Sequence, residues 1–283
     1  MAMIFKGSEV VEALNERITN DAEELKNKGI EPTLAILRVG ERDDDISYEK
    51  GATTRAKKVG VAVKNVVLPV DVSEDALINE VLKLNADDTV HGVLMFRPLP
   101  EHIDEDKVRN MLTPAKDIDG LTDLSLAGVF AGIETGFAPC TAAACMEILD
   151  YFDVDCKGKN AVVVGRSLVV GKPAAMMLLD RNATATIAHS RTADLPSVVR
   201  QADIVIAAVG RFKMLDASYF TEGQIVVDVG INFNDAGEMA GDVDFEAVEG
   251  IVQAITPVPG GVGTVTTSVL MKHVVEAAKR INS

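Results

Sequence analysis

The sequence predicts an α/β protein of two domains, the C-terminal one a Rossmann-type dinucleotide-binding fold. Three observations carry that expectation. Short, apolar, β-branched runs alternate with helical stretches from Thr33 onward, as in a parallel sheet with crossover helices. Four such runs follow residue 160, and three of them end in glycine (Gly165, Gly210 and Gly230), where a tight turn or a close approach to a ligand is wanted. Finally, 283 residues with 47% hydrophobic content suit two domains with sizeable cores.

Ser8 to Lys28 reads as a helix, with Val10, Val11, Leu14, Ile18 and Leu25 at helical spacing and Gly29 as its stop. Thr33 to Gly40 is a strand. Asp43-Asp44-Asp45 is expected to cap a helix from Ile46 to Val59, closed by Gly60. A strand over Val61 to Leu68, a helix over Ser73 to Leu84 and a strand over Gly92 to Met95 follow. Phe96-Arg97-Pro98-Leu99-Pro100 is then a stiff loop, because its prolines forbid regular pairing. Cys140 to Phe152 reads as a long connecting helix. We place the first domain at 1–138 and the nucleotide-binding domain at 139–263, with the C-terminal helix (264–283) packing back on the first.

Ala161-Val162-Val163-Val164 runs straight into Gly165, a turn and a helical pattern from Pro173 to Asp180. Such a helix N-terminus, with its free amides and positive dipole end, favours a phosphate. The loop is no P-loop: five residues separate Gly165 from Gly171, and Pro173 follows Lys172 where Ser or Thr is needed. Nor is it the common dinucleotide fingerprint, since Ser167 stands in place of the second glycine. The next strand, Ala183 to Ala188, is more informative, for it ends in His189-Ser190-Arg191-Thr192 with no carboxylate. An acidic residue there would take the ribose 2′-hydroxyl of NAD, whereas arginine accommodates a 2′-phosphate. Ser190, Arg191 and Arg166 therefore favour NADP. Asp203 to Gly210 and Gln224 to Gly230 complete the run, Asn232 to Gly241 reads as a hairpin excursion, and Ile251 to Ala254 is a short strand before the Pro/Gly-rich loop Thr256 to Gly263.

A net charge of −15 argues against nucleic acid and anionic membranes, both of which require basic patches. No signal peptide and no run of 18 apolar residues is seen. Cys140, Cys145 and Cys156 form no CxxC pair, and the four histidines share no helical face, so no metal site is expected and a reducing cytoplasm is. Cys140 reads as packing, with nothing in the sequence to suggest a base beside it. His189 reads as a strand-end residue.

Several motifs together resemble one family, the methylenetetrahydrofolate dehydrogenase/methenyltetrahydrofolate cyclohydrolase proteins. They are Val164-Gly165-Arg166-Ser167 with Val170-Gly171-Lys172-Pro173, His189-Ser190-Arg191-Thr192, Asp228-Val229-Gly230-Ile231-Asn232, Gly241-Asp242-Val243-Asp244-Phe245 and Thr256-Pro257-Val258-Pro259-Gly260-Gly261-Val262-Gly263. In the first half Lys116-Asp117-Ile118-Asp119-Gly120 and Pro139-Cys140-Thr141 fit as well. The resemblance covers essentially the whole chain. It implies two α/β domains flanking a cleft, NADP in the C-terminal domain, a folate across the cleft and a homodimer. It also implies that Gly165, Arg166, Ser167, Ser190 and Ile231 contact NADP. Tyr48 would stack on or hydrogen-bond the pterin side of the folate, Asp119 would hydrogen-bond the pterin, and Pro259, Gly260 and Gly263 would border the substrate.

The departures are informative. The family pattern has a lysine four residues after the tyrosine, one turn along the same helix face, and here that position is Ala52. Lys50 lies roughly 200° around the helix from Tyr48. Arg55 shares the face but cannot lose a proton. The glutamine that partners the family lysine is replaced by Phe96, and Ala142 replaces the usual proline after Pro139-Cys140-Thr141. Hydride transfer from the methylene carbon removes no acidic proton, but opening the methenyl product with water needs a group to handle protons. The expectation is an NADP-dependent dehydrogenase with weak or absent cyclohydrolase activity. The alternatives are a fully bifunctional enzyme, a non-catalytic folate- or NADP-binding protein of the same fold, and a shikimate-type dehydrogenase, for which the first domain lacks an obvious lysine–aspartate pair.

Overall fold

Two strand residues, β1 (Met3–Ile4), precede the long helix α1 (Gly7–Asn27) in the computed structural model, which describes residues 1–282. Val10, Leu14, Ile18 and Leu25 of α1 are all buried, as their spacing predicts. Next come β2 (Thr33–Val39), α2 (Asp43–Lys58), β3 (Ala62–Leu68), α3 (Glu74–Ala86) and β4 (Gly92–Met95). The helix α2 starts at Asp43, three residues before the expected Ile46. Its N-cap is Arg42, without a side-chain cap, and Asp43, Asp44 and Asp45 form its first turn, where acidic groups meet the positive dipole end. These aspartates therefore support the helix from inside.

The three strands form one parallel sheet in the order β3-β2-β4, with Leu34 pairing with both Val63 and Gly92. Every residue of β2 after Thr33 is buried, the mark of a central strand covered on both faces. Leu77, Val81 and Leu84 of α3 pack with Val93 and Met95 in one core. Two short helices unassigned from sequence follow, α4 (Glu105–Arg109), capped by Asp104, and α5 (Asp123–Ala131), capped by Thr122. They are too short for a 3.6-residue period to stand out.

After α6 (Cys140–Tyr151) come β5 (Asn160–Val164), α7 (Gly171–Asp180), β6 (Thr184–Ala188), α8 (Leu195–Arg200), β7 (Ile204–Ala207) and β8 (Ile225–Asp228). The hairpin β9 (Asn232–Phe233) with β10 (Met239–Ala240) falls where the polar stretch predicts it. It is followed by α9 (Phe245–Val248), β11 (Ala254–Ile255) and α10 (Val262–Ile281). The strand expected over Ile251–Ala254 begins only at Ala254, because Ile251 closes the turn after α9 by donating to Val248 O.

All pairs of the six-stranded sheet are parallel, in the order β1-β11-β8-β7-β5-β6. The chain divides into two compact units, residues 1–12 with 141–266 and residues 13–140 with the chain from Thr267 on. The first twelve residues thus go with the nucleotide-binding fold, whereas the sequence reading places them with residues 13–138. Met3 and Ile4 pair with Ala254 and Ile255, and the Phe5 ring stacks on Phe152 at 4.1 Å. A two-residue strand carries no period from which that pairing is read.

Candidate active site

In the unit built on β2, β3 and β4, two stretches carry the polar side chains. One is α2, anchored by Arg38 of β2. Its Nε lies 2.9 Å from Glu49 Oε2, and the other Glu49 oxygen accepts Asn65 Nδ2 at 3.0 Å. This half-buried pair fixes the helix turn that bears Tyr48. Tyr48 is 46% exposed, and its ring meets Phe96 edge-to-face, centroids 5.7 Å apart. Ala52 is 1% exposed, Phe96 is buried, and Lys50 lies on the exposed face of an unbroken helix.

The second stretch is Lys116-Asp117-Ile118-Asp119-Gly120, in which four of the five residues have structural tasks. Lys116 Nζ donates to the carbonyls of Leu84, Asn85 and Asp87 at the end of α3. Asp117 accepts from Leu121 N, Thr122 N and Ser125 Oγ, at 2.9, 2.8 and 2.7 Å. Ile118 is fully buried, and Gly120 adopts a φ of 66° where a Cβ would overlap the Ala138–Pro139 backbone. Asp119 instead hydrogen-bonds the Cys140 thiol.

Desolvation lifts the Asp119 carboxyl to about 6, against which the hydrogen bond to Cys140 and the charge of Arg97 pull downward. Cys140 Sγ also lies 3.3 Å from Ile118 O and 3.7 Å from His273 Nδ1. Burial, then the Asp119 charge, pushes its thiol well above the usual value, so it stays protonated. The expectation of no titratable neighbour is therefore corrected, because the fold brings Asp119 and His273 to Cys140 from distant positions. Its outcome, a thiol that is no nucleophile, follows from burial instead. Desolvation, then the Asp119 charge, also raises the Tyr48 phenol, which a hydrogen bond with Thr267 partly offsets. Tyr48, Asp119, Cys140 and Thr267 form one polar cluster.

The other unit supplies a cradle at the carboxyl ends of β5, β6 and β7, the topological place for a nucleotide. Gly165 has φ 143°, and a Cβ there would overlap the Ala208 carbonyl, just as one on Gly171 would overlap that of Gly165. Ser167 Oγ accepts from Val170 N at 3.1 Å and Gly171 N at 3.4 Å, closing the turn into α7. A cavity of about 300 Å³ opens over this turn, lined by Gly165, Arg166, Ser167, His189, Ser190 and Arg211 among others. None of its lining residues is acidic. Arg191 does not line it; its backbone N–H donates to His189 Nδ1 at 3.1 Å in the turn His189–Thr192. Arg211 lines it as a second cation beside Arg166.

A smaller cavity of about 120 Å³ brings Ile231 together with Pro259, Gly260 and Gly263. Gly260 O accepts Gly7 N at 2.8 Å, and a Cβ on Gly263 would press on Ile231 Cδ1 at 3.0 Å. The backbone of the Pro/Gly-rich loop thus forms the wall of a site.

Family models match both halves. The catalytic domain of tetrahydrofolate dehydrogenase/cyclohydrolase matches residues 5–119, and its NAD(P)-binding domain matches residues 139–282. The chain belongs to the tetrahydrofolate dehydrogenase/cyclohydrolase family. It is 49% identical over 284 residues to the bifunctional protein FolD of Carboxydothermus hydrogenoformans, covering 100% of this chain and 99% of that one. The FolD methylenetetrahydrofolate dehydrogenase/cyclohydrolase structure from Campylobacter jejuni superposes with a TM-score of 0.95 at 37% identity, over 99% of each chain. The Trypanosoma brucei FolD structure, solved with NADP and an inhibitor, gives 0.89 at 33% identity, over 99% of this chain and 98% of that one. Asp119 falls within the match to the catalytic domain, and the cradle at Gly165 within the match to the NAD(P)-binding domain.

Sequence reasoning missed Arg211 and Thr267. Each had a faint signal. Arg211 directly follows a strand-ending glycine, and Thr267 is a hydroxyl one turn beyond the Pro/Gly-rich loop. Among the described residues no group of three or more His, Cys, Asp or Glu could hold a metal ion, and no helix is long and apolar enough to cross a membrane.

Proposed function

We propose that the chain oxidises 5,10-methylenetetrahydrofolate to 5,10-methenyltetrahydrofolate with NADP, and that it hydrolyses the methenyl product weakly or not at all. When bound, NADP supplies the hydride acceptor, taking hydrogen and its electron pair from the methylene carbon and leaving the methenyl cation. Arg166 and Arg211 offer cations to an anionic cofactor, and the absence of an acidic lining residue suits a 2′-phosphate. Asp119, ionised above pH 6, accepts from the N–H groups of the pterin, and the half-exposed Tyr48 ring offers it a stacking face. Neither needs to remove a proton for hydride transfer.

The observation that carries the restricted activity is the α2 face itself. One turn after Tyr48 lies the methyl group of buried Ala52, and beside the tyrosine packs Phe96, which has no proton to exchange. A distorted helix start that would swing Lys50 inward is not found, since α2 runs unbroken from Asp43 to Lys58 and Lys50 O accepts Thr54 Oγ1 at 2.7 Å. The bifunctional description of the Carboxydothermus relative favours the second reading, retained hydrolysis. We infer further that the enzyme is a cytoplasmic homodimer acting on tetrahydrofolate derivatives, polyglutamylated ones included, and sedimentation of the purified chain tests the assembly.

One assay separates the readings. NADPH formation from methylenetetrahydrofolate and decay of added methenyltetrahydrofolate are followed separately at neutral pH, in a buffer of low nucleophilicity. The expected result is enzyme-dependent reduction of NADP with methenyl decay no faster than in buffer. Enzyme-dependent decay lost in Lys50→Ala would establish a substitute base, and no reduction at all would leave a binding protein. In the same assay Arg166→Ala and Arg211→Ala should each raise the KM for NADP about tenfold while barely changing that for NAD.

A further inference from the structure

We infer that Asp242 is a positioning residue for the cofactor site, holding the loops after β7 and β8 in one fixed arrangement; this rests on the reading of the cavity over Gly165 as the NADP site. Asp242 is fully buried in the segment after β10. Its Oδ2 accepts Val209 N at 2.6 Å and Gly210 N at 3.1 Å. Its Oδ1 accepts Arg211 N at 2.8 Å and Asn232 Nδ2 at 2.9 Å. A carboxylate offers about four acceptor sites, and donors fill all of them. Val209 and Arg211 line the larger cavity, and Ile231, next to Asn232, lines the smaller one. One side chain therefore sets both walls.

The clamp is itself clamped. Asp228, at the end of β8, accepts Gly230 N and Asp242 N on Oδ1, at 2.9 and 3.0 Å, and Val243 N on Oδ2 at 2.9 Å. Its own N–H donates to Thr256 Oγ1 at 2.8 Å, which ties in the Pro/Gly-rich loop. Gly230 and Gly241 are needed for this closeness, since a Cβ on either would overlap the carboxylate of Asp242 or Asp228 respectively. Two buried carboxylates with directed N–H donors are costly to desolvate, so the arrangement serves something more exacting than packing. Asparagine at 242 would keep the shape but aim an NH₂ group at two of the four donors, and so release part of one loop. The expected consequence is a misplaced cofactor, with Tyr48 and Asp119, in the other unit, untouched.

The test uses the full-length enzyme and NADP itself. NADP is titrated onto the unmodified protein, Asp242→Asn and Asn232→Ala, and steady-state constants are measured for both substrates along with Tm. Asp242→Asn should raise the Kd and KM for NADP about tenfold, while the KM for methylenetetrahydrofolate stays within about twofold. A merely structural aspartate would lower Tm and the fraction of active protein and leave both KM values alone, and that result overturns the inference. Should Asp242→Asn fail to fold, Asn232→Ala decides. It removes a single donor, so a rise of about threefold in KM for NADP supports the clamp and an unchanged value refutes it. If the unmodified protein does not bind NADP, the cofactor-site reading falls and the inference with it; binding with insensitive variants sinks the inference alone.

Discussion

The two units hold their sites by different means. Around β5 and α7 the site is made of backbone: Gly165 and Gly171 leave no room for a Cβ, and Ser167 uses its hydroxyl to close the turn. On α2 the site is made of side chains presented by a helix whose own anchorage, the Arg38–Glu49 pair, lies beside them. Backbone-built walls tolerate little change, because the nearest neighbours are main-chain atoms. A helix face tolerates exchange at single positions, since the helix is held by other residues. The contrast suits strand-end motifs around Gly165, Gly230 and Gly260 that are all present, beside Ala52 and Phe96 where the resemblance leads one to expect lysine and glutamine. The same contrast predicts where a single methyl group is ruinous and where it helps.

The largest expected effect is at Gly165. A methyl group there meets the Ala208 carbonyl, and φ 143° is strained for any L side chain. Gly165→Ala should destabilise this unit by about 3 kcal/mol or more and abolish NADP binding. Thermal unfolding and cofactor titration check it. Near-normal binding would mean that the β5–α7 turn is adaptable and that the contrast between the units is wrong.

A smaller effect belongs to Asp119. Its carboxyl is raised from 3.8 to about 6, chiefly by desolvation, so the folded state favours the protonated form. That stabilising contribution is fully present below pH 3.8 and is lost as pH rises through 6. Asp119→Asn should therefore match the unmodified protein in stability at pH 4 and exceed it at pH 8 by on the order of 2 kcal/mol. Activity should move oppositely. The KM for methylenetetrahydrofolate should rise as pH falls through 6 in the unmodified enzyme, and the variant should show a high KM with no such dependence. A flat KM profile in the unmodified enzyme would remove Asp119 from pterin recognition.

What could be read beforehand follows the same division. The strands β4 and β5, the hairpin after β8 and the glycine-ended turns are announced by β-branched runs and by residues with special backbone freedom. Tyr48 and Asp119 come from motif resemblance, and the structure adds that their neighbours Lys116, Asp117, Ile118 and Gly120 are committed to the fold. The cluster of Cys140, His273 and Thr267 about them depends on α10 returning more than a hundred residues later, and no local pattern encodes that. Even β1 escapes, being two residues long and defined only by its partner β11.

The smallest effect sharpens the comparison from the other side. Gly51 lies inside α2, between Tyr48 and Ala52, with ordinary helical backbone and nothing within 4 Å of the place an added methyl group would take. Glycine in a helix interior costs roughly 0.5–1 kcal/mol relative to alanine, through the freedom the unfolded chain gives up. Gly51→Ala should therefore stabilise the catalytic unit by about that amount, the reverse of Gly165→Ala for the same added methyl. The KM values should stay put, because the new methyl points to solvent and leaves the Tyr48–Phe96 contact alone. Calorimetry of the two glycine variants side by side provides the check. A loss of stability or a raised folate KM in Gly51→Ala would mean that the open face of α2 is engaged in the working enzyme, and that this helix is as constrained as the β5–α7 turn.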